Sequence, residues 1–66
     1  MEIERLHGVL KKECELIVDW AKMLQRNVIY NYDEELIDID IAVLKETIKG
    51  FEHWDARYRE ERRYEN

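Results

Sequence analysis

Residues 2–28, EIERLHGVLKKECELIVDWAKMLQRNV, decide the fold. Within them Ile3, His7, Leu10, Cys14, Ile17, Ala21, Leu24 and Val28 recur in alternating steps of four and three. That rhythm is a heptad seam, the pattern of a helix that buries one stripe against a neighbour. Leu6, Leu16, Trp20 and Met23 widen the apolar face on its two sides. Glu4, Arg5, Lys11, Lys12, Glu15, Asp19, Lys22 and Arg26 fall largely on the opposite surface. Gly8, inside the first turns, costs the helix about 1 kcal/mol relative to alanine.

Moving outward, a second helical pattern runs from Asp33 or Glu34 to Arg62. Ile37, Ile41, Leu44, Ile48, Phe51 and Tyr58 keep the four-three rhythm, with Leu36 and Val43 broadening it. Asp55 interrupts that rhythm beside Trp54, and Gly50 is its weak point. The connection is NVIYNYD, residues 27–33. Asp33 is a good N-cap, and Glu34 and Glu35 suit the positive end of the helix dipole. Tyr32 and Ile37 have the spacing of a hydrophobic staple, and Asn31 with Glu34 is a second capping pair. A competing reading takes Val28–Tyr30 and the alternating Ile37–Ile41 as two short strands, giving helix–β-hairpin–helix.

The expected architecture is therefore all-α: a single domain, 1–66, with helix 1 over about 2–28, a turn over about 29–33 and helix 2 over about 34–62. The short connection folds the helices into an antiparallel hairpin. Each helix carries an apolar face wider than one partner can cover, so the hairpin is expected to homodimerise into a four-helix bundle. Along helix 1, large Ile3, Leu10, Ile17 and Leu24 alternate with mostly smaller residues, which lets facing layers interdigitate. The expected dimer seam is Leu10, Ile17, Leu24, Ile41, Leu44 and Ile48.

Composition removes several kinds of chemistry. The 66-residue, 8.2 kDa chain has no Ser, no Pro, two Gly, one Cys and two His. It offers no Ser-based triad, no glycine-rich phosphate loop and no zinc-finger ligand set. A chain this short buries only about 60% of its unfolded surface, too little to enclose a substrate pocket. No catalytic residue, and no cofactor, is expected. Lone Cys14 and the absence of a secretory h-region point to a reducing compartment and a cytoplasmic location. No apolar run approaches the ~20 residues of a membrane span.

Candidate site residues fall into four groups. Asp33, Glu34, Glu35, Asp38 and Asp40 crowd five acids into eight residues, a patch for a protein partner with a basic surface. Trp54 and Tyr58 offer an aromatic contact, since aromatic side chains dominate interface energetics. Glu4 and His7 form an E-x-x-H pair, which di-iron bundles use twice, but helix 2 has no matching inward carboxylates. Cys14 on a helical seam behaves as a small hydrophobe. A net charge of -5 opposes phosphate binding, although Arg5, Lys12, Lys22 and Arg26 make a stripe and residues 57–66 carry four arginines.

The function these features favour is a small non-catalytic protein–protein interaction module. It would act as a regulator, adaptor or inhibitor by occlusion, as some acidic phage-encoded inhibitors do. In length and patterning the chain is similar to Rop-type RNA-binding four-helix bundles, without a shared motif. RNA binding and a metal-binding bundle are the alternatives.

Overall fold

The structure is a computed structural model and describes residues 2–65, the side chain of Glu65 excepted. Helix α1 spans Glu2–Arg26 and helix α2 spans Glu34–Glu65. Asn27–Asn31 continue α1 as a wider π-helical turn, so only Tyr32 and Asp33 lie outside helical geometry. The chain reverses there into an antiparallel hairpin measuring 49 × 14 × 13 Å. No strand occurs among the described residues, and both segments of the β-hairpin reading are helical.

Two local devices make the reversal. Tyr32 adopts a left-handed conformation, φ 50° and ψ 38°, which ends the π turn. Asp33 then caps α2: its Oδ1 accepts the backbone N–H groups of Glu35 at 3.1 Å and Leu36 at 3.2 Å. The expected cap is present. The staple is not, because Tyr32 is 83% exposed. The expected loop is shorter than the sequence pattern suggests, since Asn27–Asn31 stay helical.

The seam between the helices differs from the expected one by one residue in every second layer. On α1 and its π turn the seam positions are Ile3, Leu6, Leu10, Glu13, Ile17, Trp20, Leu24 and Asn27, with Glu2 and Val9 half-buried beside them. On α2 they are Ile37, Asp40, Leu44, Thr47, Phe51, Trp54, Tyr58 and Glu61, with Val43, Gly50 and Asp55 half-buried beside them. His7, Cys14, Ala21 and Val28 are exposed, as are Ile41 and Ile48. Side-chain area favours part of this exchange. Rotating α1 covers Leu6 and Trp20 in place of His7 and Ala21, and on α2 Trp54 is covered alongside Asp55, although Glu13, Asn27, Asp40 and Thr47 replace Cys14, Val28, Ile41 and Ile48. Larger apolar side chains gain more from leaving water.

This choice places polar residues on the seam, and several of them have a partner or space there. Thr47 donates its hydroxyl to the carbonyl of Val43 at 2.9 Å. Glu13 lies over Gly50, where a Cβ would meet Glu13 Oε2 at 3.4 Å, about contact distance. Asn27 and Asp40 are both 4% exposed, and Asn27 Nδ2 donates to Asp40 Oδ2 at 2.5 Å. Asn31 Nδ2 in turn donates to Asn27 Oδ1 at 2.8 Å, fixing the orientation of the amide. Leu6 is the only hydrophobic side chain that is fully buried among the described residues.

Replacing Asn27 with Leu should strand the Asp40 carboxylate in a buried site and destabilise the hairpin by about 1–3 kcal/mol. The Asn27→Leu/Asp40→Leu double variant should recover most of that loss in urea denaturation followed by circular dichroism, because both partners then become apolar. Tyr32→Gly should raise the melting temperature, since it relieves a left-handed conformation costing about 1 kcal/mol and discards an exposed side chain.

Candidate interaction surface

The turn end carries the acidic residues, but the hairpin divides them. Asp33 is committed to the helix cap. Glu34, Glu35 and Asp38 are exposed in the first turns of α2. Asp40 faces the seam and belongs to the buried pair with Asn27, so it takes no part in a surface patch. Its place in the Ile39-Asp40-Ile41 run was the available signal: a lone acid three residues after Ile37 and four before Leu44 sits at seam spacing.

At the open end Trp54 and Tyr58 lie half-buried on the seam. His53 meets the Trp54 ring edge-on, with centroids 5.3 Å apart and planes at 81°. The Tyr58 ring lies 6.4 Å from His7 and 5.7 Å below the Arg62 guanidinium. Such a cation–aromatic contact adds about 0.5–1 kcal/mol at an exposed site. Of these contacts, the approach of His7 to Tyr58 is the one that joins the two helices at the open end. Glu4 and His7 are both exposed, and no group of three His, Cys, Asp or Glu side chains that could hold a metal occurs among the described residues.

Of the expected dimer seam, Leu10, Ile17, Leu24 and Leu44 are half-buried between the two helices of one chain. Ile41 and Ile48, each 37% exposed, turn outward. The outer surface also includes Leu16 at 46%, Val18 at 49% and Met23 at 44% exposure. Relative to the seam, positions one residue on (Cys14, Ala21, Ile41 and Ile48) form one side of the hairpin. Positions one residue back (Leu16, Met23, Leu36 and Val43) form the other, because in an antiparallel pair equivalent heptad flanks share a side. The Glu2–Arg57 contact at 3.8 Å joins two residues of this second side. Each side is apolar along its centre.

Arg5, Lys12 and Arg26 are exposed at seven-residue intervals on α1, with Asp19 between them, while Lys22 lies on another line. Arg5 is already engaged: its Nε and Nη2 donate to Glu2 at 3.2 and 2.5 Å. That hydrogen bond lowers the Glu2 pKa below its ordinary value, burial opposes the shift, and the charges of Arg5 and Arg57 reinforce it. The same pair raises the Arg5 pKa, so Arg5 stays charged throughout.

No family model, curated protein or solved structure matches this chain.

Because the folded-state pKa of Glu2 is depressed, whatever the Glu2–Arg5 contact adds to stability is present above the ordinary carboxylate pKa of 4.5. It is lost as pH falls through the lower folded value. Arg5→Ala should move the Glu2 titration upward toward 4.5 in carboxyl-detected NMR, with little effect on overall stability, since exposed ion pairs contribute weakly.

Proposed function

We propose that this protein is a small non-catalytic interaction module that acts through its surface, as a regulator, adaptor or inhibitor by occlusion. The observation that carries this reading is the surplus of exposed surface. The hairpin has 5480 Å² accessible to solvent, whereas a compact monomer of 8.2 kDa has about 4,500 Å². The excess of about 1,000 Å² is comparable to the ~800 Å² that one partner contributes to a standard protein–protein interface.

The single fully buried apolar side chain among the described residues is a thin core for two helices of this length, and the apolar flanks supply what is missing only when something covers them. Self-association into a four-helix bundle is the simplest cover. The exposed acids of the turn, Glu34, Glu35 and Asp38, supply negative charge for a basic protein surface, that of a second copy or of another partner, where charge sets encounter rate and orientation. The chemistry present supports occlusion over catalysis: exposed carboxylates and aromatics, without a nucleophile set beside a base.

Light scattering on a sizing column over a hundredfold concentration range, with circular dichroism on the same fractions, tests this directly. A strongly helical dimer at about twice the chain mass is the expected result. A stable, helical monomer at every concentration would contradict the self-association reading.

A further inference from the structure

We propose that a second copy of this chain docks on the side of the hairpin carrying Cys14, Ala21, Ile41 and Ile48, with the two turns at opposite ends of the dimer. This rests on the self-association reading and names its surface and direction.

Both sides of the hairpin are apolar along the middle, so the choice between them falls to the charges that border each one. The row bordering the Cys14 side on α2 is Asp38, Lys45, Glu52 and Arg59, alternating in sign at intervals of seven. All four are exposed. Among the described residues Asp38, Lys45 and Glu52 make no ion pair within the chain, and Arg59 uses only its Nε on Asp55, at 2.9 Å. A two-fold axis across the hairpin near Ile48 sets this row antiparallel to itself. Asp38 then meets Arg59 of the second copy, and Lys45 meets Glu52 of the second copy, each pair occurring twice by symmetry. No like charges oppose one another along the row.

The same axis crosses α1 between about Cys14 and Val18, because Glu13 reaches Gly50 and Asn27 reaches Asp40 across the hairpin. Cys14 therefore lies close to the axis, and small Cys14 and Ala21 let the two α1 helices approach closely. The bordering row on α1 is Glu4, Lys11, Val18 and Gln25, which brings Glu4 beside Gln25 and Lys11 beside Val18, again without like-charge contact. With both turns at one end the same rows would also pair unlike charges, Glu4 with Arg59 and Lys11 with Glu52 of the second copy, so the charges at the turn choose the direction. Turns at opposite ends place exposed Glu34 and Glu35 near Arg62 and Arg63 of the second copy, whereas turns at one end would bring the acidic clusters together.

The opposite side does not pair this well. Its border on α1 is Arg5, Lys12, Asp19 and Arg26. The antiparallel arrangement pairs Lys12 with Asp19 of the second copy but sets Arg5 against Arg26, and the parallel arrangement pairs Arg5 with Glu60 but sets Asp19 against Glu46.

The full-length protein can be tested by sedimentation equilibrium with charge swaps at Lys45 and Glu52, which are exposed and make no contact needed by the hairpin. Lys45→Glu should weaken the dimer by about tenfold, since two attractive contacts become repulsive. Adding Glu52→Lys should restore it, and mixing the Lys45→Glu and Glu52→Lys single variants should produce a heterodimer. Ile48→Glu should give a helical monomer, while Leu16→Glu, on the other side, should leave the dimer intact. Mild oxidation of the wild-type dimer should cross-link Cys14 to Cys14. Loss of the dimer with Leu16→Glu but not Ile48→Glu, or no restoration by the double swap, would overturn this surface and leave self-association standing. A wild-type chain that stays monomeric would instead remove the reading on which the proposal rests.

Discussion

Beneath the turn, Asn27 and Asp40 meet in a space almost closed to water, and the rest of the hairpin hangs from that contact. A buried carboxylate must have a donor, and the Asn27 amide, held by Asn31, is the donor available. An amide and a carboxylate satisfy each other only in one alignment of the two helices. A slide of either helix by one residue would leave Asp40 unpaired, which apolar layers alone would not resist so strongly. The pair therefore sets the register from which every layer toward the open end follows.

That register explains why the seam takes the positions it does. From Asn27 the covered positions of α1 step back through Leu24, Trp20, Ile17 and Glu13 to Leu10 and Leu6. From Asp40 they step forward through Leu44, Thr47, Phe51, Trp54 and Tyr58. The polar positions in this run are tolerated for separate reasons: Thr47 satisfies its hydroxyl locally, and Glu13 lies against the one residue on the facing helix without a side chain. The gain is the covering of Leu6, Trp20 and Trp54. What remains outside includes a set of apolar residues on the two flanks, left in contact with water.

The helices, their antiparallel arrangement and the Asp33 cap were legible in the sequence, because helix periodicity and N-cap chemistry are local properties. The assignment of Cys14, Ala21, Ile41 and Ile48 to the inner seam was not, although the signals that decide against it are present. Leu6, Trp20 and Trp54 each stand beside an expected seam position and are larger than its occupant. Two stripes one residue apart fit the same periodicity. Choosing between them needs the area each would bury and the partner each would meet, and neither quantity belongs to one helix alone.

The candidate patches divide along the same line. The amino-acid sequence determined that Asp33, Glu34, Glu35 and Asp38 cluster at a helix start, since adjacency along the chain places them there. It also determined that chemistry needing serine, glycine-rich loops or several thiols is out of reach. Only tertiary structure decided that Asp40 leaves the acidic cluster for the interior and that Trp54 and Tyr58 serve the open end of the hairpin. It likewise decided that Ile41 and Ile48 face outward. The physical reason is that a residue's place on its own helix follows from spacing, while its burial follows from which two faces, brought from distant parts of the chain, exclude the most water together.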